Sequence, residues 1–309
     1  TMAGGTVMLN QSVQSYLEMR RACGFTLNTS GSLLRSFAAF SDVRGKTHVC
    51  ADTAIEWAGL ARLAPRRARR LGIVIRFARY VRAEDPRHEL PPPIFGSEKR
   101  TRPVPYIFSK NDIQRLVQAT AQLGQPTLRR ATYSTLFALL ACTGLRVSEA
   151  IGLRYQDITP DGLVIQCSKF RKSRLVPLHD SARIGLQQYL EQRRPYEPFD
   201  DHVFISLTHR PIHIQDVERV FRAAVQKINL PRGPGLPRPT PHSLRHTFAV
   251  TSLKDCQDDR DHITKHMLAL STYLGHANVA NTYWYLEATP ELLKDIAEVY
   301  EHFVIGDRS

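Results

Sequence analysis

GLVIQCSKFRKSRLVPL, residues 162–178, holds the clear strand signal of the chain: two short β-rich runs, GLVIQCSK and RLVPL, on either side of a polar turn, FRKS. Runs of this kind read as a β-hairpin, and Asp161-Gly162 supplies a turn ahead of the first strand. The sequence on both sides has helical spacing instead. Upstream, Ser109 opens a helix to about Thr120, and residues 128–142 form a longer, more apolar one that Gly144 can end. Downstream, helices cover residues 181–193 and 214–228. The proline- and glycine-rich LPRGPGLPRPTP then precedes a helix beginning at Thr240-Pro241. A small antiparallel sheet inside a mostly helical α+β domain is the expected architecture.

Farther out, residues 11–23, 30–41, 52–63 and 65–83 have helical spacing, which predicts an all-helical first domain over residues 1–88. Prolines and charges in EDPRHELPPPIFGSEKRTRPVP mark a linker, residues 89–105, and the second domain occupies residues 106–309. The class is mainly α. A chain of 309 residues accommodates two such domains.

Charge narrows the range of partners. The chain carries 42 Lys+Arg against 29 Asp+Glu, a net +13, which suits a polyanion such as nucleic acid or an acidic membrane surface. Eight arginines and no carboxylate lie between Glu56 and Glu84. If residues 65–83 form one helix, Leu71, Val74, Ala78 and Val81 make the core stripe while Arg69, Arg76 and Arg79 point away from it. Arg66, Arg69, Arg70, Arg76 and Arg79 are the candidate phosphate contacts, and a merely solvated helix face is the plainer alternative. Five cysteines without paired spacing fit a reduced compartment better than a disulfide framework. With no apolar run of 18 residues and no secretory leader pattern, a cytoplasmic protein with no membrane contact is expected.

Three segments carry side chains fit for chemistry. In TPHSLRHTFA, residues 240–249, His242 and Arg245 stand three apart on one helix face and can reach one phosphate. In TGLRVSEAIGL, residues 143–153, Gly144 ends one helix, Arg146 opens the next, and Glu149 follows where it can hold that guanidinium. Taken singly, each pair is most often structural. In STYLGHANVANTYWYL, residues 271–286, Gly275 marks a break before His276, and a helix after Asn278 carries three aromatics. On that helix Tyr283 and Tyr285 differ by about 200°, so only one can face a given site.

In content and in order, these motifs and the lysine-bearing hairpin resemble the tyrosine recombinase (phage integrase-like) family, and the wording around LGH resembles a subgroup associated with transposons and other mobile elements. The resemblance implies a helical core-binding domain followed by a catalytic domain. It implies an active site of Arg146, Lys169, His242, Arg245, His276 and Tyr285, with Glu149 in support. Lys169 sits at the strand end where the family has its lysine, with Lys172 in the same turn as the alternative acid. Tyr285, nine residues after His276, has the family's spacing for the nucleophile, which leaves Tyr283 and Trp284 to packing.

The same resemblance implies that the chain cleaves and rejoins double-stranded DNA through a 3′-phosphotyrosyl intermediate. It implies action as a homotetramer on paired sites, associated with the nucleoid and without metal, ATP or other cofactor. The apolar residues of PELLKDIAEVYEHFVIG, residues 290–306, either cover their own domain or dock on a neighbouring protomer. Two alternatives stay open: a catalytically silent DNA-binding accessory protein of this fold, and a type IB topoisomerase-like DNA-relaxing enzyme. Other signals are weaker. Gly45-Lys46-Thr47 lacks the earlier glycine of a phosphate-binding loop, since Phe40 stands there. Asp255, Asp258, Asp259 and Asp261 read as a solvated acidic loop, and His262 with His266 as a spacing that only imitates a metal pair.

Overall fold

The computed structural model of the chain describes residues 9–25, 27–96, 104–124, 128–166, 173–196, 201–230, 237–254, 260–275 and 282. Between Arg102 and Pro103 the chain divides into two compact units.

Among its described residues the first unit contains four helices, α1 (Leu9–Ala22), α2 (Asn28–Asp42), α3 (Ala51–Gly59) and α4 (Ala64–Val81). Apolar residues at helical spacing turn inward: Leu9, Val13 and Leu17 from α1, and Leu71, Val74, Ala78 and Val81 from α4. Trp57 anchors α3, its ring edge-on to Phe37 at 5.5 Å between centroids. α3 stops at Gly59, four residues before its expected end. Leu60 and Leu63 face solvent, and Leu63 adopts extended backbone so that Pro65 can enter the first turn of α4.

Part of the stretch whose composition marks a linker lies against this unit. The Glu89 amide donates to the Val49 carbonyl (2.8 Å), the Ala51 amide to the Glu89 carboxylate (2.6 Å), and Phe95 packs on the core. Prolines keep these residues out of helix and sheet, but single amides and rings still find partners.

In the second unit the apolar helix α6 (Leu128–Thr143) packs against α5 (Lys110–Ala121), α8 (Asp180–Arg193) and α10 (Pro241–Lys254). It buries residues around much of its circumference, including Leu136, Phe137, Leu139 and Leu140, as a central helix must. α5 begins as expected, with the Asp112 amide donating to the Ser109 hydroxyl. After the five-residue α7 (Val147–Ile151) come β1 (Ile158–Thr159), β2 (Gly162–Ile165) and β3 (Arg174–Val176), an antiparallel sheet in the order β1-β2-β3. Leu163 pairs with Val176 and Ile165 with Arg174.

The hairpin is therefore where the sequence puts it. The short β1 and one helix, α11 (Arg260–Leu274), are additions. α9 (Ile214–Lys227) completes the described α-helices, and α10 and α11 close a smaller apolar cluster around Val250, Met267 and Leu274. The acidic loop expected around residues 255–261 gives way to α11 from Arg260 onward, and Asp255, Asp258 and Asp259 lie outside the described residues.

Candidate active site

The site grows from the end of α6. Gly144 takes φ +61°, a left-handed turn in which a Cβ would come within 2.5 Å of the Phe248 ring. That turn sends Leu145 into the core and puts Arg146 at the entrance of α7. The Arg146 amide and its Nη1 both donate to the Glu149 carboxylate, at 3.0 and 2.6 Å. Glu149 takes a second fork from Arg174, whose Nη1 and Nη2 donate to its two oxygens at 3.1 and 2.8 Å. Burial would raise this carboxyl. The fork of Arg174 and the donors of Arg146 overcome burial and hold it down at about 2, so Glu149 is an anion at neutral pH.

Arg245 enters from the first half of α10 and is 1% exposed. Its Nη1 donates to the Gly144 carbonyl and its Nη2 to the Leu274 carbonyl, each at 2.7 Å. Arg146 Nη2 donates to the Gly275 carbonyl (2.7 Å) and Arg174 Nε to the Tyr273 carbonyl (2.7 Å). Three guanidiniums thus bind three successive carbonyls, Tyr273, Leu274 and Gly275, at the end of α11. Carbonyls in that position have no partner within their own helix, and the helix dipole favours cations there.

His242 lies one turn before Arg245, with its ring edge-to-face against His246 at 4.5 Å. Partial desolvation, together with the charges of Arg245 and Arg146, pushes its imidazole down to about 4. Desolvation and the two cations act in the same direction, each disfavouring the imidazolium. His242 is neutral at pH 7 and able to accept a proton.

Of the six residues singled out in the sequence, Arg146, His242 and Arg245 come together here. Lys169, His276 and Tyr285 lie outside the described residues, although Gly275 and Arg174 bring the chain to within a few positions of His276 and of the lysine turn. Thr282, three residues before Tyr285, is buried. Arg174 was not anticipated. Its signal was available: two residues before buried Val176 on β3, it is a cation on the inward face of a strand, where an unpaired charge is costly.

On α4 of the first unit Arg66, Arg69, Arg76 and Arg79 are exposed. Arg70 differs from them. Its Nη1 donates to the Trp57 carbonyl (3.2 Å) and its guanidinium lies over the indole at 5.0 Å, so it braces α3. Among the described residues His48, Asp85 and His88 have metal-ligand types close together. The cluster is wired otherwise. His88 Nδ1 accepts from the Val49 amide (3.0 Å), which leaves the proton of a neutral ring on Nε2, and Arg87 forks onto Asp85. No described helix is long and apolar enough to cross a membrane.

Residues 107–291 match the profile of the Phage integrase family. Over 296 residues the chain is 38% identical to a protein of Sinorhizobium fredii described as an integrase/recombinase, y4rB, covering 92% of this chain and 94% of that one. It is 27% identical over 320 residues to the tyrosine recombinase XerD of Brucella suis, covering 98% and 100%. Among solved structures, the XerH site-specific recombinase bound to a palindromic difH substrate in a post-cleavage complex shares the fold, with a TM-score of 0.65 over 97% of this chain and 86% of that one at 16% identity.

Proposed function

Because this chain belongs to the phage integrase family, whose members are tyrosine-type site-specific recombinases, we propose that it cleaves and rejoins DNA through a 3′-phosphotyrosyl bond formed by Tyr285. The observation that carries the reading is the meeting of Arg146, Arg245 and a neutral His242 at the end of α11, immediately before His276. Two guanidiniums on the nonbridging oxygens of a phosphodiester counter the charge that accumulates in its transition state.

The Tyr285 hydroxyl attacks phosphorus, forming the O–P bond as the bond to the deoxyribose 5′ oxygen breaks. His242 takes or relays the phenolic proton, Lys169 or Lys172 protonates the departing oxygen, and His276 donates a further hydrogen bond. A phenol of pKa about 10 attacks and leaves more readily than an aliphatic alcohol, so a 5′ hydroxyl can later reverse the step. One phosphodiester replaces another, and the chemistry needs no ATP and no metal. Exchange between two duplexes breaks four strands, so four protomers with one nucleophile each complete it.

The test is a nicked target site that traps the covalent intermediate, with products separated on a denaturing gel. An adduct formed by the native chain and by Tyr283→Phe, but absent from Tyr285→Phe, is expected. Loss in Tyr283→Phe alone would overturn the assignment. Binding with no adduct would point to a silent accessory protein, and relaxation of supercoils without joining of partner sites to a topoisomerase.

A further inference from the structure

Arg174 stands behind the site at the first residue of β3, its side chain 10% exposed against 8% for Glu149. Three of its five N–H groups are committed to acceptors: both oxygens of Glu149 and the carbonyl of Tyr273. One guanidinium therefore holds the carboxylate that orients Arg146 and also the end of the helix from which the chain proceeds to His276. A second contact tightens the arrangement. Gly275 has φ +64°, and a Cβ there would lie 2.8 Å from Arg174 Nη1 and 3.0 Å from its central carbon, so the glycine admits both the left-handed turn and the guanidinium beside it.

Building on the recombinase reading, we infer that Arg174 is a positioning residue for strand cleavage: through Glu149 it fixes Arg146, and through Tyr273 it fixes the end of α11 against Arg245, without acting on the phosphate itself. The chemistry of the side chain explains why an arginine is required. A lysine at the same place is a point charge on one nitrogen and cannot bridge two carboxylate oxygens and a carbonyl in one plane. A buried ion pair is a poor source of net stability, because desolvation offsets its attraction, but its planar fork does restrict orientation. Restricted orientation is what two guanidiniums converging on one phosphate require, since a misplacement of about 1 Å costs on the order of 10²-fold in rate.

The experiment compares the full-length native chain with Arg174→Met and Arg174→Lys on the nicked site. Three quantities are read: the single-turnover rate of adduct formation, the affinity for the same DNA, and the midpoint of the Glu149 carboxyl by 13C NMR. Arg174→Met is expected to form adduct roughly 10²-fold more slowly with unchanged DNA affinity, and Arg174→Lys to recover only part of that loss. The Glu149 midpoint, about 2 in the native chain, is expected to rise in Arg174→Met. A native rate in Arg174→Met, or a loss of rate matched by an equal loss of affinity, would overturn the inference. If the native chain itself formed no adduct, the recombinase reading would fail. The Glu149 midpoint would still decide the link to Arg174, since a value unmoved from about 2 refutes it. Should Arg174→Met not fold, Arg174→Lys carries the same readouts, with a fully native rate and midpoint counting against the role.

Discussion

His242 shows how the protonation state of one residue follows from its neighbours. Its imidazole has lost part of its water and stands beside two permanent cations, Arg245 and Arg146, and the result is a ring held down at about 4. Because the folded value lies below the ordinary value near 6.5, the unfolded chain takes up the proton first as pH falls. The native state accordingly loses stability from this group as pH drops from about 6.5 to about 4, and loses no more below that. NMR of the ring in the DNA-free protein should give a midpoint near 4, and Arg146→Gln should move it upward by removing one cation. A native midpoint at or above 6.5 would contradict both the electrostatics and the role proposed for His242 as a proton acceptor at neutral pH. Glu149 is the opposite case: burial works against its charge, and donors from Arg146 and Arg174 outweigh burial.

The end of α11 brings these residues together. Helix ends leave carbonyls unpaired, and here three arginines from three places in the sequence take Tyr273, Leu274 and Gly275 in turn. The geometry depends on Gly275, so Gly275→Ala should destabilise the protein by about 1–3 kcal/mol through its left-handed backbone, and should displace Arg174 as well. Urea unfolding measures the first effect and adduct formation the second. A variant as stable as the native chain would remove the argument for this helix end. Much at this scale was legible in the sequence. The hairpin, the Ser109 cap, the Gly144 stop and the spacing of His242 and Arg245 are local patterns, and each appears where the pattern puts it. α11 is not legible as a helix, because acidic residues crowd the stretch before it and Gly275 reads as a break rather than as the end of a helix. Its buried face, Met267, Leu270 and Leu274, has helical spacing all the same. Arg174 escaped for another reason. Glu149 lies 25 residues away and Tyr273 lies 99 away, distances at which local patterns carry no information.

For the molecule as a whole, the excess of 13 positive charges predicts attraction to DNA, but attraction alone does not say which arginines meet phosphate. The first unit separates the candidates by burial and partners. Arg66, Arg69, Arg76 and Arg79 are exposed along α4, whereas Arg70 is engaged with Trp57. Each arginine that neutralises a phosphate releases a condensed counterion and adds about 0.9 to the steepness with which log K falls with log salt. Replacing all four exposed arginines with glutamine should therefore flatten that dependence by up to about 3.6, and should weaken binding more at low salt than at high. Arg70→Gln should act differently, lowering thermal stability through the lost brace on α3 while leaving the salt dependence nearly native. Fluorescence anisotropy with a duplex target across a salt series reads the slope, and calorimetry reads the stability. An unchanged slope in the fourfold variant would mean that α4 presents a solvated face and that the DNA contacts lie elsewhere on the chain. A flattened slope in Arg70→Gln would mean that the guanidinium leaves the indole for phosphate when DNA is bound.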